Sequence, residues 1–148
     1  MHNRIPPPIV TLFFGCCIYF LRDYFLNLNI QWLSNFSYAF FIAGLIALFL
    51  AVRLFKNKET TVNPIKIETA SSLVTSGIFN YSRNPMYLGM ALILIGLSLK
   101  FNFIGGFIFT TLFILFITYF QIRPEEKAMH KIFGDEFLNY KENVRMWL

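Results

Sequence analysis

The sequence has 148 residues, of which 56% are hydrophobic, 19% aromatic and only 14% charged, with a mean hydropathy of +0.55 and a formal net charge of +5. An ordinary soluble domain carries about 25% charged residues, so this balance argues against a water-soluble globule and predicts an all-α, polytopic membrane protein. The basic residues lie between apolar runs, an arrangement that points to membrane topology and not to nucleic-acid binding.

Four apolar runs follow in chain order, over about 9–28, 36–55, 85–101 and 104–122. A helix needs about 20 residues, at roughly 1.5 Å each, to cross a hydrocarbon core of about 30 Å. The first, second and fourth runs meet this length. The third is shorter and is expected to tilt, to thin the bilayer, or to form a tight hairpin with the fourth around Gly105 and Gly106; the hairpin is the favoured reading. Within the first run, Cys16 and Cys17 are adjacent and cannot form a normal disulfide with each other, so they are expected to pack as small hydrophobes. The basic, apolar N-terminus invites comparison with a signal sequence, but Pro6, Pro7 and Pro8 and the bulky Phe13 and Phe14 argue against cleavage before Cys16.

With both termini in the cytoplasm, that face gathers Arg4, Arg53, Lys56, Lys58, Lys66 and Arg83, then Arg123, Lys127, Lys131, Lys141 and Arg145. The opposite face keeps Arg22 and Lys100. This asymmetry predicts an even number of spans, and for a prokaryotic chain the expected location is the inner membrane. No repeat divides the chain, so one membrane domain over 1–148, acting as a monomer, is the economical organisation.

Two segments are polar enough to lie outside lipid: a cytosolic loop over 56–84 and a tail over 123–148. The loop has Asn-Pro and Ser-Gly turn signals and little helical period, which predicts ordered irregular structure of the kind that often carries function. In the tail, Pro124 suits a first helical position, Glu125 and Glu126 suit the electropositive first turn, and Gly134 suits a stop, with a second short helix from Asp135. Met129, Ile132, Phe133, Phe137, Tyr140, Val144 and Trp147 recur at three- and four-residue spacing, an amphipathic interfacial pattern.

Chemistry is expected where loop and tail meet. Asn84 is a good N-cap and Pro85 a good first residue, so a helix starts inside "YSRNPMYLGM" with its free N–H groups facing the loop. That start, with Arg83 beside it, suits a carboxylate or phosphate, and Gly89 permits close approach of a ligand or another helix. Arg83 is equally well explained as a snorkelling interfacial charge. Glu125 and Glu126, taken alone, need no ligand beyond the helix dipole. Successive helical residues point about 100° apart, however, so one carboxylate can bind a ligand cation while the other orients Arg123 or a loop donor. His2 and His130 are far apart in sequence and, with no cysteine cluster near them, make no credible metal site.

Together, "TTVNP", "SSLVTSGIFNYSRNPMYLG" and "RPEEKAMHKIFGDEFLNYKENVRMWL" resemble the isoprenylcysteine carboxyl methyltransferase and phospholipid methyltransferase-like family, over roughly the second half of the chain. The resemblance implies an integral membrane enzyme that uses S-adenosylmethionine, enclosed on the cytosolic side between the loop, the third helix and the tail. A lipophilic small molecule or lipid then enters from the bilayer. It further implies that Leu73, Val74, Phe79, Asn84, Pro85, Met86 and Tyr87 line the cofactor pocket with Glu125 opposite, and that Arg83 and Glu126 support it. From cofactor chemistry, Arg83 and the helix donors suit the carboxylate, Glu125 or Glu126 the amine, and Tyr87 and Phe79 the adenine or the sulfonium. Methyl transfer to a carboxylate would need positioning, by Arg83, Tyr87 and Glu126, and no acid, base or metal. Two departures stand out: Asn84 replaces the family's usual histidine, and Gln121 stands where the eukaryotic enzymes place a substrate-facing arginine, a role left to Arg123. Phospholipid or small-amine N-methylation, an NADPH-dependent membrane reductase of related layout, and a lipid-binding scaffold without catalysis are the alternatives.

Overall fold

The computed structural model describes residues 5–26, 31–57 and 72–148. Arg4, Lys58, Lys66 and the "TTVNP" stretch, with most of the loop and the end of the first run, lie outside the described residues. Among those described, the elements are helical throughout: α1 (Pro7–Phe20), α2 (Gln31–Asn57), α3 (Pro85–Phe101), α4 (Phe103–Ile117), α5 (Arg123–Phe133) and α6 (Asp135–Asn143). Short 3-10 turns cover Arg22–Tyr24 and Gly77–Asn80, and a π turn covers Thr118–Ile122.

Prolines set the starts of α1 and α3, since their missing N–H is harmless in a first turn, and Pro7 and Pro85 stand there. Pro124 does not begin a helix as expected: the helix runs on from α4 through the π turn into α5, with Pro124 just past that turn. Gly134 ends α5 at φ +52°, a conformation that suits glycine, and α6 begins at Asp135.

Helix α3 is the centre of the bundle and packs against α1, α2 and α4. Its buried Tyr87, Met90, Ala91 and Leu94 meet Val10 and Ile18 of α1 and Phe113 and Ile117 of α4. The outward faces of α1, α2 and α4 are left apolar, with Leu12, Phe13, Phe36, Phe49, Phe107 and Phe120 all exposed. A surface of that kind is far larger than soluble monomers tolerate. By length and composition, α2 over Trp32–Lys56 and the continuous helix Phe103–Phe133 can cross a membrane.

The first run departs from expectation. α1 has 14 residues, about 21 Å at the α-helical rise, and so falls short of a full span. The chain turns at Leu21 into the 3-10 segment, and Arg22 lies over the Tyr19 ring, 4.5 Å from its centroid. Cys16 and Cys17 are both free, but Cys16 is exposed on the apolar surface and not packed inside.

The α3–α4 hairpin forms, but its turn is at Asn102 and not at the two glycines. Asn102 closes α3 and caps α4, its Oδ1 accepting from Gly105 N at 2.9 Å while its Nδ2 donates to the carbonyls of Arg22 and Phe25. This buried amide therefore ties the α3–α4 turn to the end of α1. Gly105 and Gly106 are inside α4, where a side chain would collide with Phe25 and Ser98 respectively. Their small size serves packing.

Gly89 has the same use. A methyl group on it would come within 2.8 Å of the Gly44 carbonyl oxygen, and one on Gly44 within 2.6 Å of the Gly89 oxygen, so the two glycines let α2 and α3 touch backbone to backbone. Gly89→Ala and Gly44→Ala should each lower stability by about 1–3 kcal/mol, and by similar amounts, in thermal unfolding of the detergent-solubilised protein. A ligand-contacting Gly89 would instead lose cofactor affinity at unchanged stability, with Gly44→Ala showing no such loss.

Candidate active site

The tail's apolar face is taken up by the protein: Phe137 and Tyr140, with Met129, Phe133 and Val144, pack against Ala51 of α2 and against Val74 and Phe79 of the loop. Ile132 stays exposed. The Tyr140 hydroxyl donates to the Phe79 carbonyl at 2.7 Å, and burial raises its pKa, partly offset by the nearby Arg83 charge.

The end of the tail is then stitched to the residues before α3. Arg83 N donates to the Arg145 carbonyl at 3.0 Å, and Asn84 Nδ2 to the Met146 carbonyl at 3.0 Å. Ser82 Oγ accepts from Asn84 N at 3.1 Å. Asn84 thus occupies the N-cap position of α3 without capping it by its side chain, which reaches across to the tail instead. The indole of Trp147 donates to Thr118 Oγ1 at 3.2 Å, joining the tail's end to the π turn.

Arg83 is the hub. Its Nε and Nη2 donate to Glu126 Oε1 at 3.0 and 2.7 Å, and its Nη1 donates to the carbonyls of Lys141, at 3.1 Å, and Val144. The two charged side chains are 7% and 12% exposed, so this is a largely desolvated, forked pair of the stronger kind. With its fork committed, the guanidinium is a brace between loop and tail. The expected pairing of Arg83 with a ligand carboxylate does not fit this geometry.

The adjacent glutamate points elsewhere. Tyr87, one turn into α3, donates its hydroxyl to Glu125 Oε1 at 2.5 Å. Burial pushes the Glu125 carboxyl up to about 7, and the Tyr87 hydrogen bond pulls partly the other way. The Glu-Glu pair therefore splits by helical phase: Glu126 holds Arg83, and Glu125 meets Tyr87 beside the mouth of α3.

A model of the family described as phospholipid methyltransferase matches residues 32–136, from the start of α2 into α6. The chain belongs to the phospholipid methyltransferase family. By family it is a methyltransferase. Protein-S-isoprenylcysteine O-methyltransferase of Schizosaccharomyces pombe is 35% identical over 75 residues, covering 49% of this chain and 30% of that enzyme. Protein-S-isoprenylcysteine O-methyltransferase A of Arabidopsis thaliana is 28% identical over 114 residues, 76% of this chain and 57% of the plant enzyme. The matches span less than two thirds of either enzyme. An uncharacterized protein of Haemophilus influenzae is 41% identical over 63 residues, 43% of this chain and all of that protein. No solved structure matches significantly.

Within this phospholipid methyltransferase family member, hydrogen bonds link Arg83 to Glu126 and Tyr87 to Glu125, and the tail's end holds Arg83 and Asn84. Val74 and Phe79 are buried in the loop–tail cluster, with Leu73 and Met86 packed on it, and Pro85 is fully buried. Ser72 Oγ, next to Leu73, is buried with no hydrogen-bond partner among the described residues. Three residues stand apart. Gly89 faces α2. Gln121 is buried, its amide donating to the Ile5 carbonyl at 2.8 Å. Arg123 is exposed, stacked 4.2 Å over the Tyr119 ring. Tyr140, Lys141, Val144, Arg145 and Met146 were not foreseen at the site. The amphipathic spacing of Tyr140 and Val144 was a signal for docking, but backbone carbonyls carry no signature in sequence.

Proposed function

We propose that this protein is an integral membrane methyltransferase, termini in the cytoplasm, in which the shorter α1 and α3 complete four crossings of a locally thinned bilayer, and that it takes S-adenosylmethionine and methylates a lipophilic acceptor in the manner of an isoprenylcysteine carboxyl O-methyltransferase. The observation that carries this reading is the Tyr87–Glu125 contact, which sets a part-buried carboxylate beside the α3 helix start. Arg22 and Lys100 lie at the Asn102 end of the bundle and Arg83 and Arg123 near its other end, which supports the orientation.

The residues present suit the cofactor. Its amine calls for a carboxylate, and Glu125 is half of a contact that a cationic amine can join. Its carboxylate calls for N–H donors, and the first turn of α3 is not capped by Asn84. The unpartnered Ser72 hydroxyl, beside Leu73, adds a polar group on the loop side. Tyr87 offers an aromatic ring to the sulfonium or adenine. When bound, S-adenosylmethionine supplies an electrophilic methyl group. The chain's own contribution is to orient: Arg83 and Glu126 hold the tail against the loop, Tyr87 and Glu125 fix the mouth of α3, and the apolar walls exclude water.

An amine acceptor, such as a phospholipid headgroup, is the second reading. It is favoured because Gln121 is a neutral amide committed to Ile5 and Arg123 is turned outward over Tyr119, so neither sets a cation beside the Tyr87–Glu125 contact for an acceptor carboxylate. Calorimetry on the purified protein should register S-adenosylmethionine binding; no heat at millimolar ligand removes both readings. Radiolabelled methyl transfer to a farnesylcysteine analogue and to phosphatidylethanolamine then separates them.

A further inference from the structure

We propose that the groove between α5 and α6 binds the phosphate headgroup of an anionic phospholipid, at a site separate from the Tyr87–Glu125 contact. The inference rests on the membrane reading above and not on methyl transfer.

The groove is a cavity of about 460 Å³. Arg123, Lys127 and His130 enter it from α5, spaced to share one helical face, and Lys141 enters from α6. The carboxylate on its wall, Glu126, is held by Arg83 at 2.7 Å and meets Lys141 Nζ at 3.5 Å, so Arg123 and Lys127 are the groove cations left without a salt bridge among the described residues. Phe137, Leu138 and Met146 supply an apolar side. A cationic wall against an apolar one is the complement of an anionic amphiphile, and an arginine fork suits phosphate oxygens.

Position gives the same answer. The exposed apolar surface of α4 ends at Tyr119 and Phe120, and Arg123, one turn later, caps it by stacking on Tyr119. The groove therefore opens at the level where the lipid-facing surface stops and where headgroups lie. Glu125, about 100° around α5 from Glu126, faces Tyr87 instead, so a headgroup in the groove leaves that contact undisturbed.

The test uses the full-length protein in a neutral detergent and three probes: phosphatidylglycerol with six-carbon chains, phosphatidylcholine of the same chain length, and inorganic phosphate. Phosphatidylglycerol should bind most tightly by calorimetry. Lys127→Gln should weaken it about fivefold, the effect of one cation removed near a headgroup. Lys131→Gln, the same charge change on α5 outside the groove, should leave affinity within about twofold. Both substituted side chains are partly or fully exposed, so folding is retained. Equal weakening by Lys131→Gln, equal binding of the two lipids, or phosphate binding as tight as the lipid overturns the proposal, the last in favour of a free-phosphate site. Retention in carbonate-washed membranes tests the membrane reading separately; a protein that stays in the pellet yet fails the variant comparison loses this site alone.

Discussion

Replacing Arg83 with alanine unseats the tail and lowers stability by about 3–5 kcal/mol, the usual cost of removing one partner from a buried ion pair. Three losses combine. Glu126 keeps only the longer contact to Lys141 Nζ, at 3.5 Å, and the carbonyls of Lys141 and Val144 lose their shared donor. The segment that carries Met146 and Trp147 is then held by the backbone N–H of position 83 on the Arg145 carbonyl and by the bonds to Ser82, Asn84 and Thr118, with no side-chain brace from position 83. Thermal unfolding and protease cleavage within α6 report this directly. Arg83→Lys falls between wild type and alanine, because one ammonium cannot serve a carboxylate and two carbonyls in the fork's geometry. Unchanged protease resistance in Arg83→Ala would return the residue to a surface role.

Glu125→Gln gives the largest expected loss of cofactor affinity, and its signature is a pH profile. Burial holds the folded-state carboxyl at about 7, against 4.5 when unperturbed. The folded protein therefore binds this proton more tightly than the unfolded chain, and the associated stability is present below about pH 4.5 and lost as pH rises through about 7. Binding of a cationic amine runs the other way, since it needs the carboxylate. Affinity for S-adenosylmethionine should rise up to about tenfold per pH unit below about pH 7, then fall as the ligand's α-amine loses its proton near about pH 8. Glu125→Gln removes the acid limb and keeps the alkaline one. Tyr87→Phe, which deletes a bond that lowers the Glu125 pKa, moves the acid limb upward. Calorimetric titrations across this range separate the three profiles, and an acid limb that persists in Glu125→Gln would assign it to another group.

The start of α3 and the end of α5 were legible because proline and glycine act locally: Pro85 and Gly134 do in space what they announce in sequence, while Pro124 announced a start and instead sits inside a helix that a π turn carries past it. The convergence of "SRNP" on "PEE" was legible only through their resemblance to a known ordered set. What could not be read was the destination of side chains whose partners are backbone. Nothing in "KENVRMW" says that its carbonyls will accept from Arg83 and Asn84. The glycines misled for a related reason. Gly105 and Gly106 read as turn formers, yet their lack of a side chain is used against Phe25 and Ser98, while Asn102 makes the turn with a single amide. Length misled in α1, where an apolar run continued past the point at which Leu21 breaks the helix.

The π turn at Thr118–Ile122 sets which carboxylate meets which partner. Such a turn holds one residue more than an α-helix would, absorbing it without disturbing the phase on either side. Wound regularly, the same chain would advance everything downstream by about 100°, setting Pro124 where Glu125 meets Tyr87 and Glu125 where Glu126 meets Arg83. The turn accommodates one extra residue in register. Excising one of its residues should let the helix close up as regular α and leave both carboxylates facing their present partners.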